Sequence, residues 1–417
     1  MTQNAALDPA RKIAAFAPWL FLLALAILIN YVDRGNLSLA APLLKDELQL
    51  SASQLGILLS AFFWFYTLLQ FVMGSVVDRF EASWVFAAGF FVWSLATIFT
   101  GLVNGFLMLL AMRLLLGVGE SVTFPAGSKM IACHVPPERI GIANGLIIAG
   151  IKAGPAVGAL GAGLLIAKHG WRPVFIAIGL LSLLWLPAWR ALMPRGPSTM
   201  QPSATSSDQS PPIFQILRER SFWGASAGHF SANYFLYVMI TWLPFYLVHD
   251  RHLSLFAMAK ISSLYYLVDA TSALFAGWLS DLLIRRGFTT TFIRKSAMAI
   301  GHTIAAIGLA IFAIAGAESY LIWLVVTGVG AGIAGSGIYA YCQILAGPRA
   351  AGTWTGLQNG LANFAGIIAP AVTGFLVDQT GNFRTALALS AAVTAAGALG
   401  WTLLVPRVEP IPWTQQG

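Results

Sequence analysis

The sequence predicts an all-α membrane protein in which twelve transmembrane helices form two six-helix bundles. The first observation is the composition: 58% of the 417 residues are hydrophobic and 10% are charged, whereas soluble domains are about 25% charged. The second is a series of apolar stretches near the length of about 20 residues that spans a bilayer as a helix. The third is a repeat that relates the two halves of the chain.

Twelve apolar stretches meet this length and are bounded by charged residues, Gly or Pro. They cover approximately residues 16–42, 54–77, 83–103, 105–131, 139–167, 171–193, 221–247, 256–283, 295–316, 319–346, 351–377 and 383–405, here called spans 1 to 12. An even number places both termini on one side. That side would hold fourteen loop Lys and Arg residues against six on the other. Basic loops stay in the cytoplasm, so we expect cytoplasmic termini.

One polar segment divides the chain. Residues 194–212 (PRGPSTMQPSATSSDQSPP) are rich in Pro, Ser and Thr, a composition typical of flexible linkers. We therefore predict an N-terminal six-helix bundle over residues 1–193, a cytoplasmic linker over 194–220 and a C-terminal six-helix bundle over 221–417.

The two predicted bundles share sequence features at matching positions. Asn144, Gly145 and Pro155 recur 215 positions later as Asn359, Gly360 and Pro370. The pattern Gly74-x-x-x-Asp78 likewise recurs as Gly277-x-x-x-Asp281. Two repeated bundles around a central site that opens alternately to each side form a common transporter architecture.

Six charged residues stand out within the spans, because a charge in the middle of the bilayer costs at least about 2.5 kcal/mol and commonly marks a transport pathway. They are Asp33, Arg34, Arg113, Glu120, Lys152 and Asp269. Arg113 and Glu120 are seven residues apart, so they project from one face of span 4 and can share a cavity. Arg34 shares a face of span 1 with Asn30, whereas Asp33 points about 100° away.

These charges suggest a mechanism. Burial favours the protonated form of a carboxylic acid and a neighbouring Arg favours the ionised form, so we interpret Asp33 and Glu120 as proton-binding sites. Arg34 and Arg113, with Lys152 as a further candidate, would then bind an anion, since a guanidinium matches a carboxylate with two hydrogen bonds. The alternative is that ionised pairs only join helices. For Asp269 both interpretations stay open, and we assign it a structural or gating role.

Polar side chains at helical spacing supply further candidates for substrate binding. They are Tyr66 and Gln70 in span 2, His229, Asn233 and Tyr237 in span 7, Tyr339 in span 10, and Asn359 and Asn363 in span 11. Hydrogen bonding between helices is the alternative use of the same residues.

Other classes of function find little support. The basic residues are scattered rather than gathered on one face, so nucleic acid is excluded as a partner. Gly330-x-Gly332-x-x-Gly335 matches a dinucleotide-binding pattern but lies within span 10 with no preceding strand, so close helix packing explains it better. Cys133 and Cys342 lie in opposite halves and lack the spacing of a metal site. We expect no enzymatic activity, metal or cofactor.

At several motifs the sequence resembles the major facilitator superfamily and, within it, the anion:cation symporter family. These motifs are NYVDRGNLSLAAP from Asn30, SAFFWFY from Ser60, GSVVDR from Gly74 and RLLLGVGE from Arg113. The resemblance implies proton-coupled uptake of organic anions such as sugar acids or aromatic carboxylates. Protons rather than sodium would drive the cycle, in a monomer within the bacterial inner membrane. It also supports proton sites at Asp33 and Glu120 and substrate contacts at Arg34, Arg113, Tyr66 and Asn363.

Two departures from the family pattern stand out. After Asp78 and Arg79 the usual Gly and basic residues are replaced by Phe80-Glu81-Ala82-Ser83, so we expect a weakened latch between the halves near Asp78, Arg79 and Asp281. Lys152 adds a cation, which could anchor a dianion or act as a partner for Glu120.

Two alternatives remain. Gly150-x-x-x-Gly154-Pro155-x-x-Gly158 in span 5 partly matches a motif of proton-driven drug exporters, although three core cations would repel a cationic drug. A membrane receptor that senses an anion without moving it is the other alternative.

Overall fold

The computed structural model describes residues 9–135, 140–193 and 211–413, and these are almost entirely helical. The helices are α1 (Pro9–Leu48), α2 (Ala52–Arg79), α3 (Ala82–Thr100), α4 (Phe106–Glu120), α5 (Thr123–His134), α6 (Ile140–His169), α7 (Trp171–Leu183), α8 (Trp185–Leu192), α9 (Ile213–Arg218), α10 (Arg220–His249), α11 (Leu255–Arg285), α12 (Thr290–Ile314), α13 (Tyr320–Gly335), α14 (Ile338–Thr380) and α15 (Arg384–Leu399). A π-helical turn, Gly400–Leu404, follows α15.

Twelve helical stretches are long and apolar enough to cross a membrane, which confirms the all-α fold with twelve spans. Their bounds lie within a few residues of the predicted ones for most spans. Span 1 continues to Leu48, and the helix of span 5, α6, begins at Ile140 as predicted. Most of the predicted linker lies outside the described residues. Its last part is more ordered than expected, because α9 occupies Ile213–Arg218.

Three spans are each divided between two helices, which the sequence did not predict. Span 4 comprises α4 and α5, span 6 comprises α7 and α8, and span 10 comprises α13 and the start of α14. The turn between spans 10 and 11 lies where the sequence predicted it, inside α14, and Gly347 has a φ of 64° there. Only glycine adopts this left-handed region without strain, so Gly347 lets the chain turn sharply between the two spans.

Spans 2 and 11 bring the two halves of the chain into close contact. A Cβ atom on Gly56 would lie 2.6 Å from the carbonyl oxygen of Pro370, and one on Gly374 would lie even closer to the carbonyl oxygen of Ala52. Small residues allow helix backbones to approach in this way. The contact therefore depends on glycine in both spans.

Asp378 of span 11 completes the hydrogen bonding at the first turn of α2. Its Oδ1 accepts from the N–H of Ala52 at 2.8 Å and its Oδ2 from the N–H of Ser53 at 2.7 Å. The N–H groups of Ser51 and Gln54 are satisfied by each other's side chains at 2.9 and 3.1 Å. All four N–H groups that a helix start leaves unpaired thus have acceptors, two of them from the other half of the chain.

We predict that Asp378→Ala opens this end of the molecule. Loss of a helix-capping acceptor costs about 0.5–2 kcal/mol, and one or two kcal/mol changes a population about 5- to 30-fold. Distances between spin labels on the α1–α2 connection and on Gln379, in a background without native cysteines, should shift toward longer values.

Glu318→Ala provides the control, because Glu318 is exposed and takes no part in this contact. An unchanged distance distribution in Asp378→Ala would show that the contact does not hold this end closed.

Candidate functional site

A cavity of about 190 Å³ lies between the two halves. Of the predicted site residues, its lining includes Arg34, Tyr66, Arg113, Lys152, His229, Asn233, Tyr237, Asp269, Tyr339, Asn359 and Asn363. Every predicted substrate-binding residue except Gln70 therefore contributes to one cavity. Gln70 is absent from the lining, since its position on span 2 is one turn beyond that of Tyr66.

Arg34 is held at the cavity by an ion pair and by aromatic rings. Its Nε donates to Oε2 of Glu120 at 2.9 Å. Its guanidinium carbon lies 4.4 Å from the ring centre of Tyr66, 4.7 Å from that of Tyr31 and 5.0 Å from that of Phe62. Cation–π contacts are strongest where water is excluded. Arg34 is thus a fixed cation in the cavity wall.

Glu120 differs from its predicted placement. It is fully buried and does not line the cavity, so it does not share that cavity with Arg113 as the seven-residue spacing suggested. It lies behind Arg34, and its pairing partner comes from span 1 rather than from its own helix. The sequence could place Glu120 on a helix face but could not identify the helix opposite that face.

Arg113 is the other N-terminal cation in the cavity wall. Its Nε donates a long hydrogen bond of 3.4 Å to the carbonyl oxygen of Leu58, and its guanidinium lies 5.4 Å from the ring centre of Phe62. Among the side chains that the structure describes, no carboxylate lies within 4 Å of it. Its planar fork is therefore available to an anion.

Asp33 is buried away from the cavity. Its Oδ1 accepts from Nδ2 of Asn36 at 3.1 Å, and the residue is 2% exposed. This placement agrees with the angle between Asp33 and Arg34 on span 1. Its Oδ2 and Oε1 of Glu120 have no hydrogen-bond partner among the described residues.

Lys152 and Asp269 form an ion pair that joins the two halves through spans 5 and 8. Nζ of Lys152 lies 3.2 Å from Oδ2 and 3.3 Å from Oδ1 of Asp269. The side chain of Lys152 is 29% exposed and that of Asp269 is 10% exposed. The interpretation of Lys152 as a partner for Glu120 is wrong, because its partner is Asp269.

The C-terminal half contributes neutral polar groups. The hydroxyl of Tyr237 donates to Oδ1 of Asn363 at 2.6 Å, and Nδ2 of Asn363 donates to the carbonyl oxygen of Asn359 at 3.0 Å. The ring of Tyr237 also packs against Phe63 of span 2, with centres 4.3 Å apart. Tyr237 and Asn363 thus bond to each other while facing the cavity, so helix packing and substrate contact are compatible uses.

Arg79 and Asp281, two of the predicted gating residues, lie away from this cavity, whereas Asp269 lines it. Asp281 pairs with Arg294, and the side chain of Arg79 is exposed. The side chain of Asp78 lies outside the described part of the structure, so the predicted latch stays a prediction.

Sequence reasoning overlooked two residues of this region. Tyr31 lines the cavity and stacks on Arg34, and its position three residues before Arg34 on the same helix could have indicated this. Gln358 contacts His229 and is fully buried. A glutamine within an apolar span was the available signal, but it lay next to Asn359 and outside the polar stripe.

Comparisons with known proteins agree with this architecture. The family model described as Major Facilitator Superfamily matches residues 23–364. The chain is 30% identical to the hexuronate transporter of Bacillus subtilis (strain 168), over 94% of this chain and 95% of that protein. It is 28% identical to the probable L-galactonate transporter of Escherichia coli (strain K12), over 93% and 88% of the two chains.

A solved structure shows the same fold at lower sequence identity. It is the bacterial homolog of the human lysosomal transporter Spinster in an inward-facing and occupied conformation. The TM-score is 0.80 at 17% identity, with 96% of this chain and 97% of that chain covered. At this identity the likeness concerns the fold alone.

Proposed function

This chain belongs to the Major Facilitator Superfamily, and we propose that it is a proton-coupled symporter that imports a small organic anion. Family membership makes it a transporter and not an enzyme, as the sequence predicted. Sugar acids are the first substrates to test, because hexuronate and galactonate appear in the names of its relatives.

The unpaired fork of Arg113 is the observation that carries this proposal. Of the six charged residues predicted in the core, four form the pairs Arg34–Glu120 and Lys152–Asp269. Arg113 faces the cavity, whereas Asp33 is turned away from it. A buried cation without a partner is costly. A substrate carboxylate would supply the missing negative charge.

Proton coupling would follow from the pairing of Arg34 with Glu120. When Glu120 takes up a proton, Arg34 loses its negative partner, and the cavity wall then presents two uncompensated guanidinium groups. Proton binding thereby favours anion binding, and by reciprocity the anion favours proton binding. The free Oε1 of Glu120 and Oδ2 of Asp33 could be protonated without breaking a hydrogen bond. We therefore assign both carboxylates to proton coupling.

Alternating access would use the two halves as moving bodies, residues 1–193 and 221–417, joined by the linker over 194–220. In this proposal the protein lies in the bacterial inner membrane with both termini in the cytoplasm. A monomer suffices, because residues of one chain form the whole cavity. Asp378 would hold closed the end of the molecule at which α1 ends and α2 begins. Asp78, Arg79 and Asp281 would belong to the gate at the other end.

The exporter alternative loses its main support. Gly150 and Gly154 lie directly against span 1: a Cβ atom on Gly150 would be 2.9 Å from the carbonyl oxygen of Ala24, and one on Gly154 would be 3.0 Å from that of Leu28. Helix packing accounts for these glycines without an export function.

We predict that Arg113→Gln weakens anion binding by at least about 30-fold, because removing one member of a buried charge pair costs about 2 kcal/mol or more. Arg113→Lys should retain part of the affinity, since the charge remains but the fork is lost. Ligand-induced thermal shifts with sugar acids, aromatic carboxylates, dicarboxylates and organic cations would measure this.

Arg384→Gln is the matched control, because Arg384 is exposed and outside the cavity. Shifts from organic cations alone would contradict anion transport.

A second prediction concerns Glu120→Gln. The amide resembles the protonated acid, so substrate exchange across proteoliposomes should continue while accumulation driven by a proton gradient falls to background. Exposed Glu318→Gln serves as the control. Full proton-driven accumulation by Glu120→Gln would remove Glu120 from the coupling mechanism.

A third prediction separates dianions from monoanions. Lys152→Gln should weaken a dicarboxylate at least about tenfold more than a monocarboxylate of similar size, since it removes the second cation. Asp269→Asn should do the opposite and strengthen the dicarboxylate, because Lys152 loses its competing partner. Equal changes for both anions in titration calorimetry would show that Lys152 serves only the joint between spans 5 and 8.

A further inference from the structure

A buried chain of hydrogen bonds leads from span 11 to the cavity. Trp354 Nε1 donates to Oε1 of Gln358 at 2.9 Å, and Nε2 of Gln358 lies 3.3 Å from Nδ1 of His229. Sγ of Cys342 lies 3.1 Å from the same oxygen. Trp354 and Gln358 are fully buried, and His229 is 3% exposed. The network therefore lies behind the cavity wall, and His229 is its member that lines the cavity.

The donors in this chain determine the orientation of the Gln358 amide. The indole N–H of Trp354 can only donate, so the Gln358 atom that faces it is the oxygen. A reversed amide would place two donors against each other and leave buried groups unpaired, which is unfavourable. The Cys342 thiol beside the same oxygen is also a donor. The NH₂ group of Gln358 therefore points toward His229.

This orientation decides which nitrogen of His229 carries the proton. Because the Gln358 amide donates to Nδ1, Nδ1 is an acceptor, and in a neutral imidazole the hydrogen is then on Nε2. Nε2 has no hydrogen-bond partner among the described residues. Nε2 of His302 is a fully buried atom without a partner, whereas Nε2 of His229 is not among such atoms and is accessible from the cavity. His229 thus offers a neutral N–H donor opposite the cations of the N-terminal half.

We propose that Gln358 and Trp354 are positioning residues that hold His229 in its neutral Nε2–H form, so that it donates a hydrogen bond to a second oxygen of the bound anion. This inference rests on the proposed function, in which Arg113 holds the first carboxylate. The ligand class it selects is an anion with a hydroxyl or carbonyl oxygen beyond that carboxylate. An anion with a purely hydrocarbon remainder leaves this donor unpaired.

Gluconate and hexanoate form a suitable pair of probes, because they share charge and chain length and differ in hydroxyl groups. Gln358→Met, which keeps the side-chain length, should weaken gluconate about tenfold and leave hexanoate nearly unchanged. His229→Gln should retain more gluconate affinity than His229→Asn, since the longer amide places its nitrogen near the position of Nε2. Equal losses for both anions, or better retention by His229→Asn, would overturn the proposal.

The tautomer itself is measurable in the full-length protein in detergent. With ¹⁵N-labelled histidine, the His229 signals are those of the six histidines that disappear in His229→Gln. We expect a protonated Nε2 and an unprotonated Nδ1. Gln358→Glu should add a proton to Nδ1, because a carboxylate accepts where the amide donates. A protonated Nδ1 in the unaltered protein would overturn the proposal.

The proposed function and the role of His229 can be disproved separately. If neither anion binds and only organic cations do, the proposed function is wrong, while the nitrogen signals still decide the state of His229. If both anions bind and both are lost in Arg113→Gln, the proposed function stands, and the ratio of gluconate to hexanoate affinity in Gln358→Met decides the inference alone.

Discussion

Charges inside this helical bundle must be balanced at short range, because hydrocarbon cannot solvate them. Two buried pairs, Arg34–Glu120 and Lys152–Asp269, meet this constraint. One joins spans within the N-terminal half and the other joins the halves. Arg113 is the exception on which the proposed anion site depends: Glu120 and Asp33 attract it at longer range, but no carboxylate among the described side chains forms an ion pair with it.

The sequence predicted the spans well because crossing a bilayer requires a minimum apolar length, and that requirement is local. It also predicted which side chains of spans 7 and 11 face inward, since helical periodicity is local. The sequence could not identify Arg34 as the partner of Glu120, because ion pairing between distant spans depends on how the helices pack. For the same reason it could not identify Asp269 as the partner of Lys152. The divisions within spans 4, 6 and 10 escaped prediction because the apolar length that defines a span does not show whether its helix is continuous.

The two halves contribute different chemistry to the cavity. Spans 1 and 4 supply fixed cations that lie against aromatic rings. Spans 7 and 11 supply neutral donors and acceptors whose orientation is set by hydrogen bonds behind the wall. The N-terminal half thus attracts any small anion, and the C-terminal half selects among anions by the positions of their other polar groups. A ligand that satisfies both must contact both halves, which ties its binding to their relative position.

The contact of Asp378 with the first turn of α2 bears on the energetics of the transport cycle. Asp378 and Ser53 lie near the surface, so water can replace their hydrogen bonds as the halves separate, and such an exchange has a small net free energy. The contact would then favour the closed form by no more than about 0.5–2 kcal/mol. Thermal motion overcomes a preference of that size readily, so the site can face each side of the membrane in turn without a long-lived closed state that delays release of the solute.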